Sequence, residues 1–190
     1  MNSMTTKIAE LLILEPRVFE DNRGWFMESF NQERFDALLG ERGFEAPHFV
    51  QDNHSHSQKG VLRGLHYQLN PCAQAKLVRV VQGRAWDVAV DIRQNSPTFG
   101  QWVGVELTAT NHRQFWIPAG FAHGFVALED DTQFLYKTTA YYQQDSERTI
   151  VWNDASLNIE WPIAGLALQF AEKDSNAASF AQAIKNNDVF

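Results

Sequence analysis

The chain has 190 residues, 44% hydrophobic and 13% aromatic, with six Trp and fourteen Phe; that suffices for one domain with a substantial core and is too apolar for disorder. Its net charge of −7 argues against a general binder of nucleic acid or of membrane surfaces, although a few cations gathered in one cleft can still hold an anion. Cys72 is the only cysteine, so no internal disulfide can form, and the cytoplasm is the default location.

In chain order, the apolar run Leu11-Leu12-Ile13-Leu14 is too short for a signal or membrane-spanning segment and ends at Glu15-Pro16. It opens a predicted strand over Leu11–Phe19, followed by the turn Asp21-Asn22-Arg23-Gly24 and a second strand over Trp25–Phe30. Gln32–Leu39 reads as a helix stopped by Gly40. Strands follow over Phe49–His54, Leu62–Gln68 and Lys76–Val81. In Ala85–Ile92 the residues Trp86, Val88, Val90 and Ile92 share one face while Asp87 and Asp91 share the other, which predicts a half-buried strand. Further strands are expected over Trp102–Thr108, Gln114–Ile117, Gly124–Leu128 and Gln133–Thr139, and a short helix near Ala177–Ile184. Many short strands with turn residues between them indicate an all-β sandwich or barrel. No linker or repeat divides residues 1–190, so a single domain is expected.

The chemistry-bearing residues sit on apolar strands. Arg63 and His66 lie in Val61-Leu62-Arg63-Gly64-Leu65-His66-Tyr67-Gln68, Lys76 opens the next strand, and His123 lies between Phe121 and Phe125. Burying such groups among aliphatic residues is costly unless each has a partner or a ligand. In a regular strand His66 and Gln68 point one way and Arg63 the other, and a bulge at Gly64 would re-aim Arg63. If these strands line one barrel mouth, His66, Lys76 and His123 converge there. Taken alone, Lys76 reads equally well as a charge protecting a strand edge. His54 and His56 read as loop residues, and His48 and His112 stand beside turns; all four are read as structural. Trp25, Phe26, Trp86, Trp102, Phe115 and Trp116 are expected in the core or at a subunit contact.

A barrel metal site needs two histidines one residue apart, a carboxylate soon after and a third histidine on a later strand. Here the spacing reads His66-Tyr67-Gln68, and no acidic residue occurs before Asp87; no metal is expected, since His66 and His123 alone supply two ligands. Glycine-rich phosphate loops, a Gly-x-Ser-x-Gly elbow and a Cys/His pair are missing from the sequence. What remains is acid–base chemistry without a cofactor, with a carboxylate-held histidine as base, a lysine at a developing oxyanion and Tyr136 as a neutral acid.

Beyond these arguments, an ordered set of motifs resembles a known family. Asp21-Asn-Arg-Gly24 with Glu28, Phe49-Val-Gln-Asp-Asn-His-Ser55, Val61–Gln68, Lys76-Leu-Val-Arg79, Asp87–Arg93, Ser96–Gly100, Trp116–Phe125, Phe134-Leu-Tyr-Lys137, Trp152-Asn-Asp154 and Lys173-Asp174 resemble the dTDP-4-dehydrorhamnose 3,5-epimerases. The resemblance runs from about Leu12 to Asp174 and departs at the Leu69–Ala75 loop and after Asp174. It implies a cupin-type antiparallel β-barrel or jelly roll with short N- and C-terminal helices, without metal or cofactor. It implies that His66 removes the C3 and C5 protons of dTDP-4-dehydro-6-deoxy-D-glucose, that Asp174 orients His66, that Lys76 stabilises the C4 enolate and that Tyr136 is the opposing acid. Arg23, Glu28, Gln51, Asp52, Asn53, Arg63, Lys76, His123, Glu147 and Lys173 would contact the nucleotide, diphosphate or sugar. It also implies a homodimer in which N-terminal strands, about residues 8–30, are exchanged, so that Arg23 and Glu28 serve the partner's site. The alternatives within enzymes are epimerisation at C3 or C5 only, or a ketone shift, on a related dTDP-deoxysugar. Outside them stand a non-catalytic nucleotide-sugar-binding barrel and a metal-dependent oxygenase.

Overall fold

The computed structural model describes residues 2–190. In chain order the strands are β1 (Asn2–Thr5), β2 (Leu12–Glu15), β3 (Val18–Asp21), β4 (Gly24–Met27), β5 (Gln51–Ser57), β6 (Leu62–Gln68), β7 (Lys76–Gln82), β8 (Arg84–Asp91), β9 (Trp102–Thr108), β10 (Gln114–Ile117), β11 (Phe121–Ala127), β12 (Thr132–Thr138) and β13 (Glu147–Thr149). The helices are α1 (Gln32–Gly40), α2 (Glu172–Ser175) and α3 (Phe180–Lys185). Two antiparallel sheets face each other, a six-stranded one in the order β1-β2-β10-β7-β12-β5 and a five-stranded one in the order β13-β6-β11-β8-β9. The third sheet is the hairpin β3-β4.

Three apolar layers hold the sheets. Between them lie Val78, Val80, Ala89, Val105, Phe115, Phe125 and Phe134. On the outer side of the six-stranded sheet, Phe35, Leu38 and Leu39 of α1 pack on Leu12, Leu14, Leu77 and Trp116; their spacing is one stripe of a helix. Asn31 caps that helix by accepting from the Arg34 amide at 3.1 Å. On the outer side of the five-stranded sheet, Leu65, Tyr67, Val88, Val90 and Ile92 meet Phe180, Ala183 and Val189 from the C-terminal segment.

The outer layers cover β2, β7 and β10 of one sheet and β6, β8 and β11 of the other, while the outer face of β5 stays exposed; the cover over β8 corrects the half-buried reading of Ala85–Ile92. Trp86, Val88, Val90 and Ile92 face the C-terminal layer, and Asp87 and Asp91 on the other face are both 0% exposed. Asp91 is compensated by a two-point contact from Arg93 and by the Ser96 and Thr98 hydroxyls, each at 2.6 Å.

Other boundaries moved for local reasons. The expected strand Leu11–Phe19 is two strands, because Pro16 has no amide hydrogen to continue the ladder. The strand expected over Phe49–His54 starts at Gln51 and runs to Ser57, since it pairs with β12 as far as Thr132. His54 and His56 are accordingly strand residues, not loop residues, bonded to Gln133 and Asp131 at 3.0 Å each. The C-terminal helix begins at Phe180, after its Ser179 cap; Ala178 before it gives its carbonyl to Val151 instead. Of the stretch expected to be exchanged, β2 is paired with β1 and β10 of its own chain. Only β3-β4 stands apart from both large sheets, and it exposes Phe19, Trp25 and Phe26.

The register between β6 and β11 positions the site. His66 is opposite His123 and Arg63 opposite Phe125, so three steps on β6 match two on β11. The extra residue is the bulge expected at Gly64, where φ is 129°. A Cβ built on Gly64 would lie 2.5 Å from the Gly124 Cα and 2.8 Å from the His123 carbonyl oxygen. Gly64→Ala is therefore expected to cost about 1–3 kcal/mol, from the strained backbone region alone. Urea denaturation followed by Trp fluorescence would measure it; an unchanged midpoint would mean that β6 and β11 separate freely at this crossing.

Candidate active site

Between the two large sheets opens a cavity of about 450 Å³. The five-stranded sheet gives it Arg63, His66 and Gln68 from β6, His123 and Phe125 from β11 and Glu147 from β13. The six-stranded sheet gives it Lys76 from β7, Phe134 and Tyr136 from β12 and Gln51, Asn53 and Ser55 from β5. Lys173 and Asp174 come from α2 and Tyr142 from the loop after β12. Arg63 and His66 reach the same space because of the bulge between them.

His66 Nε2 lies 2.5 Å from Asp174 Oδ1 across 108 positions of sequence. The imidazole is 22% exposed and the carboxylate 2%, so the ring edge meets the cavity while its orienting charge is shielded. With the hydrogen on Nε2 directed at Asp174, Nδ1 is left with a lone pair, the requirement for a base.

Lys76 is 7% exposed, and its Nζ donates to the His66 carbonyl at 3.2 Å. Burial pulls its ammonium down to about 8, against the opposing pull of Asp87 and Glu147. On the same wall, burial raises the Tyr136 phenol above its ordinary value, with Arg63 and Lys173 opposing, so it stays an O–H near neutral pH. His123 Nε2 lies 2.9 Å from Asp87 Oδ2. Burial lowers the His123 imidazole, partly offset by Asp87. Glu147 would be raised by its burial, but the 2.8 Å hydrogen bond from Lys173 and the charge behind it hold it below the usual carboxylate range.

The cavity thus gathers His66, Tyr136, Asp174, Lys76, Gln51, Asn53, Arg63, His123, Glu147 and Lys173. It does not gather Asp52, Arg23 or Glu28. Asp52 alternates with Gln51 and Asn53, so it points to the opposite face of β5 and pairs with Lys137 at 2.9 Å. Arg23 sits exposed at the tip of the β3-β4 hairpin, bonded to Asp21 at 2.6 Å. Glu28 pairs with Arg34 at 3.0 Å beside the start of α1.

Some lining residues escaped the sequence reading. Ser55 follows from the period-2 pattern of Gln51 and Asn53, and its hydroxyl is buried with no partner. Phe134 stacks on Phe125 with ring centroids 4.1 Å apart and 3° between the planes, a packing contact that no spacing predicts. Tyr142 donates to Glu147 Oε2 at 3.2 Å from an irregular loop with no periodic signal. Among the described residues, no group of three or more His, Cys, Asp or Glu is gathered in ligating positions.

Residues 5–182 match the family model described as dTDP-4-dehydrorhamnose 3,5-epimerase. The dTDP-4-dehydrorhamnose 3,5-epimerase of Shigella flexneri is 57% identical over 183 residues, which is 96% of this chain and 98% of that one. The crystal structure of dTDP-6-deoxy-D-glucose-3,5-epimerase from Legionella pneumophila, in complex with dTDP-4-keto-L-rhamnose, is 52% identical and superimposes with a TM-score of 0.88 over 95% of this chain and 93% of that one. The Mycobacterium tuberculosis RmlC epimerase is 35% identical with a TM-score of 0.94, covering 100% of this chain and 93% of that one. Matched in sequence and in its cupin-like β fold over nearly its whole length, the chain belongs to the dTDP-4-dehydrorhamnose 3,5-epimerases, which are isomerases.

Proposed function

We propose that the cavity binds dTDP-4-dehydro-6-deoxy-D-glucose and inverts C3 and C5 by removing a proton at one wall and returning one from the other. The observation that carries this reading is the 2.5 Å contact of His66 with Asp174 on one wall, facing Lys76 and Tyr136 on the opposed sheet. The C4 ketone makes the protons on C3 and C5 acidic. His66 Nδ1 takes one of them, the C–H electron pair moves into an enolate, and the Lys76 ammonium meets the negative charge on O4. Tyr136 then donates its phenolic proton to the opposite face of the same carbon, and both groups exchange protons with water before the second carbon reacts. Nothing is oxidised or reduced in this sequence, so no cofactor enters it.

Arg63 and Lys173 supply the positive charge for the diphosphate within a chain of net charge −7. Gln51, Asn53, His123 and Glu147 provide hydrogen-bonding groups for sugar or base. A homodimer belongs to the same reading, because the hairpin β3-β4 leaves Phe19, Trp25 and Phe26 exposed and carries Arg23 at its tip. A second copy covering those rings would bring Arg23 and Glu28 toward a neighbouring cavity. Among the described residues no helix is long and apolar enough to cross a membrane, and we place the enzyme in the cytoplasm.

With His66→Ala, solvent-deuterium exchange at both carbons is expected to fall by roughly two to four orders of magnitude. Asp174→Asn is expected to fall less, since the imidazole remains and loses only its orienting charge. Exchange near the unaltered rate at either carbon in His66→Ala would show that another base acts there.

Tyr136→Phe removes only the phenol oxygen, so folding, dTDP binding and proton removal are expected to persist while inversion fails. Mass spectrometry for deuterium and NMR for product, on one sample, separate the two. Equal losses in exchange and product, with dTDP still bound, would remove Tyr136 from the role of opposing acid.

The Lys76 ammonium predominates at pH 7 and is lost as pH rises through about 8. The kcat/KM profile is therefore expected to decline above that pH, and Lys76→Met to lose both the decline and about a hundred- to a thousandfold in kcat. A wild-type profile flat to pH 9.5 would show that Lys76 is not the group at O4.

A further inference from the structure

Asp87 plays no part in the roles assigned above, yet its carboxylate is completely buried in the wall behind His123. A carboxylate held there without compensation is costly. Its Oδ2 meets His123 Nε2 at 2.9 Å, and its Oδ1 is buried with no hydrogen-bond partner. Burial pushes the Asp87 carboxyl above its ordinary value, while His123 and the Lys76 charge pull it back; in its ionised form it only accepts, which puts the hydrogen of a neutral His123 on Nε2 and leaves a lone pair on Nδ1. His123 lines the cavity.

The charge of Asp87 also acts through space on Lys76, whose Nζ hydrogen-bonds to the His66 carbonyl and not to Asp87. Facing that ammonium are Asp87 on β8, Glu147 on β13 and Lys173 on α2, with the imidazoles of His66 and His123 from β6 and β11. The other carboxylates are committed: Glu147 takes a hydrogen bond from Lys173 at 2.8 Å, and Asp174 holds His66 at 2.5 Å. Lys173 is itself a cation and repels Lys76. Asp87 has no lysine or arginine within salt-bridge range, and its contact with His123 uses Oδ2 and leaves Oδ1 without a partner.

We propose that Asp87 is a positioning residue of the epimerisation: through His123 it fixes which imidazole nitrogen meets the sugar, and as a buried charge in the same wall it helps keep Lys76 protonated. The proposal rests on the oxyanion role given to Lys76 above. It makes His123 an acceptor, suited to a sugar hydroxyl and unsuited to a carbonyl oxygen at the same place.

Two measurements test it. The first is the kcat/KM profile of Asp87→Asn and Asp87→Glu in the full-length enzyme. Losing the charge in Asp87→Asn is expected to move the alkaline decline from about 8 to lower pH by about one unit, lowering activity at pH 7.5 several-fold while the value at pH 6 stays closer to wild type. Asp87→Glu keeps the charge and is expected to hold the decline near its original place. A decline unmoved in Asp87→Asn, or the same in both variants, overturns the counter-charge. The second is 15N NMR of the unaltered enzyme labelled at histidine, with the His123 signals assigned by their loss in His123→Gln. A neutral ring with hydrogen on Nε2 from pH 6 to 8 is expected; hydrogen on Nδ1, or titration in that range, overturns the tautomer. This measurement decides the tautomer even if neither Asp87 variant folds. A wild-type enzyme with no alkaline decline would instead discredit the Lys76 role and leave the His123 tautomer standing.

Discussion

Burial of the layer between the two large sheets is the constraint on which the rest depends. With α1 outside one sheet and the C-terminal segment outside the other, any ionisable group on an inward face is taken out of water. Asp91 answers that with Arg93, Ser96 and Thr98 and serves only to hold its loop. His66, Lys76, His123 and Asp87 lie where the central apolar layer gives way to the cavity, and their partners satisfy them only in part. Unused lone pairs and hydrogens there are available to a bound ligand.

The partial compensation also sets the electrostatics. Burial draws the ammonium of Lys76 down toward the working pH and keeps the phenol of Tyr136 protonated, the forms that the proposed proton transfer requires. The same burial keeps His123 neutral. The overall acidity of the chain is a surface property and does not govern a cleft whose cations are aimed inward.

In the proposed reaction base and acid stand on different sheets, so that a planar enolate between the walls would present one face to each. The arrangement depends on a short stretch of backbone. Without the extra residue at Gly64, strand alternation would turn Arg63 away from the space that His66 enters. The absence of a side chain on both Gly64 and Gly124 lets β6 and β11 approach closely enough for His66 to face His123.

Much of this was legible in the sequence. Period-2 alternation and turn residues established an all-β fold, the Gly64 bulge was expected from the need to aim Arg63 and His66 together, and the ordered motifs pointed to the residues that line the cavity. What alternation could not tell was how much covers each face. Asp87 and Asp91 read as the wet side of a strand, because nothing local to Ala85–Ile92 reveals that a second sheet lies over them. Asp52 faces away from the cavity that Gln51 and Asn53 line, because a motif is a string, whereas a strand sends neighbours to opposite faces. The pairing of His66 with Asp174 joins positions 108 residues apart, and that of Asp87 with His123 joins strands adjacent only in the folded sheet. Local sequence determines which way a side chain leaves its strand; only tertiary packing decides what it meets, because burial and partner choice belong to the surfaces that come together.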